Sequence, residues 1–129
     1  MAQGDLEIVR AWYGALGDET AFLALTHPEI EWAPFEENHT VHRGLEGALR
    51  VLRGWSASWS DYGGSIEDSV DAGEEGIVLT LRITAEGAAS GVHVDVHAYP
   101  HFKTREGKVV YLYEYVDLAD ALNAVGLER

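Results

Sequence analysis

The chain has 129 residues, 47% of them apolar and 10% aromatic, enough for one packed globular domain over residues 1–129 and unlike a disordered polymer. Nine Lys plus Arg against 22 Asp plus Glu give a formal charge of −13, a field that steers nucleic acid and anionic membranes away. There is no cysteine, which excludes disulfides and thiolate metal sites.

The opening Met1-Ala-Gln-Gly-Asp5 lacks the basic and apolar regions of a secretory leader, and no window approaches the ~20 apolar residues that span a bilayer. A soluble, cytoplasmic protein is expected. Leu6, Val9, Trp12, Tyr13 and Leu16 recur at helical spacing, so a helix is predicted over 5–16. Asp18 or Thr20 can cap a short second helix through Leu25, which must end before Pro28. A strand is predicted over 29–34 with Ile30 and Trp32 on one face, followed by a polar loop over 35–44. Gly44 opens a third helix with Ala48, Val51, Leu52, Trp55 and Trp59 inward. Beyond Tyr62 the pattern turns to β alternation over 65–70, 76–85, 91–104 and 108–117, separated by glycine-rich breaks. Asp117 caps a closing helix over 118–125, which Gly126 terminates. Helices first and antiparallel strands after predict an α+β domain with the helices on one sheet face.

The last two strands form a hairpin around Arg105-Glu106-Gly107-Lys108. A two-residue turn needs positive φ at Glu106, which glutamate resists, so a three-residue loop pairing Thr104 with Lys108 is expected. Phe102 then faces Val110, Pro100 faces Leu112, Ala98 faces Glu114, and Val96 faces Val116. One hairpin face is aliphatic with a single acid. The other is a ladder of His97, Tyr99, His101, Tyr111, Tyr113 and Tyr115. The aliphatic face belongs under the helices, since apolar surface left in water is the costlier error. With the sheet turned round, the histidines would line the interior.

These segments, from the Val9–Leu25 helices through His27–Trp32, His42–Leu52 and Ser90–Val96 to the Arg105–Leu127 ending, resemble the SnoaL-like group of the nuclear-transport-factor-2-like superfamily. Its relatives include ketosteroid isomerases, polyketide cyclases and limonene epoxide hydrolase. The resemblance implies a cone-shaped α+β barrel, with a curved antiparallel sheet wrapped around the helices, an apolar pocket, and commonly a dimer through the outer sheet face. The ketosteroid isomerase machinery is not matched. Its general-base aspartate falls on Ala33-Pro34, its oxyanion-hole acid near Pro100 and its helix-one tyrosine near Trp12. The arginine-flanked aspartate of the epoxide hydrolases is not evident either.

Glu114 is the anomaly of the aliphatic face. An acid in an apolar wall has its pKa raised by desolvation, which suits proton transfer near neutral pH. The plainer alternative is a rim residue that reaches water or a cation. Trp12, Trp32, Trp55 and Trp59 would converge on one cavity if the elements lie as the family places them, with Ala98, Pro100, Phe102, Leu112 and Val116 completing its wall. Tyr13 and Tyr62 read as structural. His39 and His42 would roof the mouth, able to contact a ligand, or to exchange protons with Glu114. His93-x-Asp95-x-His97 has the look of a metal run, but residues two apart on a strand are ~6.5–7 Å apart, so no metal is expected. A stripe of Tyr99, Tyr111, Tyr113 and Tyr115 beside His97 suits a homodimer interface. The expected function is cofactor-independent proton transfer, isomerase-like or cyclase-like, on a small hydrophobic or polycyclic molecule. The alternative is a non-catalytic dimeric ligand-binding or structural domain.

Overall fold

The computed structural model describes residues 2–34 and 38–127. Phe35, Glu36 and Glu37, part of the predicted polar loop, lie outside the described residues. The elements run α1 (Ala2–Gly14), α2 (Glu19–Ala24), β1 (Thr26–Ala33), β2 (His42–Arg43), α3 (Gly44–Ser58), β3 (Trp59–Asp71), β4 (Ile77–Gly87), β5 (His93–Arg105), β6 (Lys108–Tyr115) and α4 (Leu118–Ala124). A 3-10 turn over Gly73–Glu75 joins β3 to β4. Asp18 caps α2 by accepting from the Ala21 N–H, and Asp117 caps α4 by accepting from that of Ala119. Among the described residues no helix is long and apolar enough to cross a membrane.

The six strands form one sheet in the order β2-β1-β6-β5-β4-β3. Among the described residues, four helices and this strongly curled sheet make a half-barrel. The sheet is mixed where an antiparallel one was expected, because β1 lies parallel to β6, with Trp32 opposite Leu112 and Ala33 opposite Tyr113. Local periodicity carries no information about a pairing between strands some 80 positions apart. The pairing of β4 with β5 passes from Val78↔His101 to Leu81↔Ala98 across Pro100, which has no N–H to give a ladder.

The hairpin register differs from expectation. Arg105 pairs with Lys108, so the turn is the two-residue one, with φ of 57° at Glu106 and 76° at Gly107. The left-handed backbone at Glu106 costs about 1–2 kcal/mol. Its carboxylate offsets this by accepting from His27 Nε2 at 2.9 Å, and His27 Nδ1 in turn accepts from the Glu29 N–H at 3.0 Å. The support comes from β1, remote in sequence. One step on, the register slips again. Thr104 pairs with Val109 but Lys103 with Tyr111, leaving Val110 as a bulge. Beyond the bulge the net displacement from the predicted register is two residues, so faces are conserved from Tyr111 onward while partners change: Pro100, not Ala98, lies opposite Glu114; before it, Val109 rather than Val110 is buried.

The aliphatic hairpin face packs under α1, α2 and α3. Trp12, Phe22, Trp32 and Phe102 are fully buried there with Val9, Ile30, Leu79 and Leu112. Trp12 meets Trp32 and Phe102 edge-on at 5.1 and 5.6 Å between ring centroids. Its Nε1 donates to Thr26 Oγ1, which donates to the Phe22 carbonyl, so the buried indole leaves no polar atom unpaired. The helices are not all on this side, as had been expected. Ala121 of α4 and Val125, which caps its C-terminal end, cover Val78 on the opposite face, with Val70, Tyr99 and Tyr115 against them.

Candidate functional site

Glu114 is the acid of the inner face. It enters the core because β6, after its bulge, turns Leu112 and Glu114 inward and Tyr113 and Tyr115 outward. The residue is 7% exposed, and its Oε2 accepts from Trp32 Nε1 at 2.8 Å. Trp32 is within reach because parallel pairing sets it beside Leu112 on the neighbouring strand. Around the carboxylate lies a cavity of about 10 Å3, walled by Tyr13 from α1, Trp55 from α3, Tyr62 from β3, Leu81 and Ile83 from β4, and Ala98 and Pro100 from β5. That space admits at most one water molecule. Burial, then the neighbouring Glu114 carboxylate, then Tyr62, push the Tyr13 phenol well above the ordinary tyrosine value. Tyr13 therefore stays protonated across the physiological range and presents a donor beside an acid.

The sequence placed Glu114, Trp55, Ala98 and Pro100 at one cavity, and they meet there. Tyr13 and Tyr62, expected to be structural, line it too. Tyr62 was missed because β3 begins at Trp59, ahead of the stretch whose alternation is regular. Trp12, Trp32, Phe102 and Leu112 are at most 1% exposed and serve as packing, with Trp32 meeting the site through its N–H to Glu114 and an edge-on contact with Trp55 at 5.2 Å. Trp59 ends α3 and opens β3, and lines a shallower depression with Leu52 and Trp55. Val116, expected to point inward, is 58% exposed past the end of β6.

The two loop histidines are not at this cavity. His42 sits in β2 opposite Trp32, two strands from Glu114, packed closely on Gly47. His39 lies on the outer side, where its ring stacks on Tyr113 at 4.4 Å and its Nε2 donates to the Glu114 backbone carbonyl at 2.7 Å.

On the outer face the polar ladder is divided among local partners. Arg82 takes both oxygens of Asp95, at 2.9 and 2.6 Å, holding that carboxyl below its usual range. His97 pairs with Glu67 at 2.8 Å. Asp117, close after β6, caps α4. Among the described residues no group of three or more His, Asp or Glu is placed to hold a metal ion. A depression of about 710 Å3 is an open cleft between α4 and the outer sheet face, lined by Asp68, Val70, Thr80, Leu118, Asp120 and Leu122 among others. It shares no lining residue with the Glu114 cavity.

A family model described as a SnoaL-like domain matches residues 9–112. No match was found among curated proteins. An NTF2-like protein of unknown function from Burkholderia pseudomallei K96243 superposes with a TM-score of 0.75 at 16% identity, covering 95% of this chain and 97% of that one. A putative SnoaL-like polyketide cyclase from Jannaschia sp. CCS1 gives 0.74 at 16% identity, covering 99% and 95%. A protein from Catenulispora acidiphila DSM 44928 with a ketosteroid isomerase-like fold, solved in complex with trimethylamine, gives 0.74 at 18% identity, covering 94% and 93%. At these identities the solved structures establish the fold and leave the chemistry open.

Proposed function

We infer the function from one premise: the chain belongs to the SnoaL-like domain family. On it we propose a cofactor-independent acid–base enzyme that moves a proton on a small hydrophobic cyclic molecule carrying a carbonyl group. The observation that carries this is the buried Glu114 carboxylate, oriented by the Trp32 N–H at 2.8 Å and set beside the protonated Tyr13 phenol. Glu114 takes a proton from the carbon next to the carbonyl, and the C–H electron pair moves into the enolate. Tyr13 donates a hydrogen bond to the developing oxyanion in a site screened from bulk water, where such a bond is worth most. Glu114 then returns the proton to the same carbon or to a conjugated one. Apart from this acid, the cavity walls reaching it from β4 and β5 are apolar, Leu81, Ile83, Ala98 and Pro100, which favours an uncharged ring. Neither His39 nor His42 is needed for these steps.

One observation favours a second reading, a non-catalytic ligand-binding or structural domain. The cavity is filled to about 10 Å3, and in that case Glu114 serves only as the acceptor for a buried indole N–H. The Trp32 indole resonance separates the two. In a nitrogen-15-labelled sample, a saturating cyclic ketone that reaches Glu114 shifts that signal and leaves the Trp12 indole in place. If no ketone in a panel of mono- and bicyclic compounds moves it, the enzymatic reading fails.

A further inference from the structure

Chemistry at Glu114 requires a route for a ring-bearing ligand into a space of about 10 Å3. Two larger depressions adjoin it. One, about 500 Å3, lies between α1 and β3 over Tyr13, Leu16, Ile66 and Leu81, with Arg10 on its rim. The other, about 230 Å3, lies beside α3 over Leu16, Leu52, Trp55 and Trp59. Among the described residues Tyr62 alone borders all three. Its ring stacks on Trp55 at 5.3 Å between centroids and 24° between planes, forming the partition.

The backbone at Tyr62 departs from a regular ladder. The β3–β4 ladder runs from Ser60↔Glu86 to Gly63↔Thr84, so Asp61 and Tyr62 stand opposite Ala85 alone, in a bulge. Two glycines follow directly, Gly63 and Gly64, and β3 is the last strand of the sheet, held by β4 on one side only. A bulge followed by paired glycines on an edge strand permits local rearrangement without unzipping the core.

We propose that Tyr62 is the door of the site, and that the α1–β3 groove is its outer half. When the Tyr62 ring swings off Trp55, the groove joins the Glu114 cavity, and a flat ligand ring takes the vacated place against the Trp55 indole. The ligand class is an uncharged, flat aromatic or conjugated cyclic ketone: flat because it replaces a stacked ring, uncharged because the inner walls are apolar and the chain at −13 repels anions. The inference rests on the proposed function for the identity of the destination, and is separable from it by experiment.

The probe is 6-propionyl-2-(dimethylamino)naphthalene, a neutral naphthyl ketone whose emission responds to burial. Its binding is followed by stopped flow with wild type, Tyr62→Ala and Tyr62→Leu. Leu keeps apolar bulk without the stacked ring, in case Ala unfolds the strand, and circular dichroism with urea unfolding confirms that each variant is folded. Opening of a door limits association in wild type, so the variants should bind about tenfold faster or more. Each bound ketone should shift the Trp32 indole resonance, which places it at Glu114. Equal association rates in wild type and variants would overturn the proposal, as would faster binding with the Trp32 signal unmoved, since the ligand would then stop in the outer groove. Faster binding with a Trp32 shift, but without proton exchange dependent on Glu114, upholds the door and sinks the proposed chemistry.

Discussion

Replacing Glu114 by Gln and by Leu separates its two possible burdens. In the fold, Glu114 Oε2 accepts from Trp32 Nε1 at 2.8 Å, at a residue 7% exposed, while the Trp32 side chain is fully buried. Glu114→Gln keeps an amide oxygen that can take the same N–H, at nearly the same volume. Where Glu114 is ionised, the change exchanges a charge-assisted bond for a neutral one and also removes a desolvated charge. These changes oppose each other, so stability should stay within about 1 kcal/mol of wild type. Glu114→Leu removes the acceptor and strands the indole N–H away from water, which costs about 1–3 kcal/mol, a visible share of the roughly 5–15 kcal/mol that holds a domain together. The assay is urea unfolding at pH 7 followed by tryptophan emission, with the slope compared between variants to confirm that the same transition is measured. The expected order is wild type near Gln, both above Leu. A Leu variant as stable as the Gln variant would refute the reasoning, because the Trp32 bond would then add nothing and Glu114 would not be the acceptor the site depends on.

His101 is buried against the 3-10 turn, with Nε2 bonded to the Glu75 carbonyl, Tyr111 edge-on at 5.3 Å, and Lys103 and the Glu75 carboxylate facing it. Desolvation, outweighing the Glu75 carbonyl, lowers its pKa. The unfolded chain therefore binds the proton more readily, and stability should fall as pH drops below the unfolded value of about 6.5; unfolding measured from pH 8 to 5 should show a slope that His101→Gln flattens. At the hairpin turn, His27→Ala should cost about 1–2 kcal/mol in wild type but less when position 106 is already glycine, and a cycle with Glu106→Gly that shows no coupling would contradict the support assigned to His27. We also propose a homodimer through the face bearing His97, Tyr99, Tyr111, Tyr113 and Tyr115. Sedimentation should show association that strengthens with salt as the −13 charge is screened and is lost in Tyr111→Glu, while a monomer at every salt concentration would end the idea.

The features legible in the sequence were those written locally. Asp117 announced the start of α4 and Asp18, one of two candidates with Thr20, that of α2, and the period-2 pattern of β5 and β6 separated an aliphatic face from an aromatic one. That assignment survived a register error only because the error was two residues, an even number. The turn was misjudged because intrinsic backbone preference at Glu106 yields to a hydrogen bond from His27, which no local rule can foresee. The same limit hid the parallel pairing of β1 with β6, and with it the Trp32–Glu114 bond. Alternation also could not tell a pocket wall from a core. Phe102 and Leu112 share the inner face with Glu114, yet they pack solidly, and only Ala98 and Pro100 on β5 leave space beside the acid. Local periodicity also could not show that α4 packs against Tyr99 and Tyr115, or that His39 stacks on Tyr113, since both come from elsewhere in the chain.

The central claim is that Glu114 moves a proton on a bound carbonyl compound, and hydrogen–deuterium exchange tests it most directly. Bicyclic ketones such as 2-tetralone are incubated in deuterium oxide with wild type or Glu114→Gln at matched folded concentration, and loss of the proton signal next to the carbonyl is followed by NMR. Wild type should accelerate exchange above the buffer rate, and Glu114→Gln should lose about 10²–10⁴-fold of the enzymatic part while still shifting its Trp32 indole signal on binding. Exchange equally fast with wild type and Glu114→Gln, or no faster than buffer with ketone demonstrably bound, would contradict it.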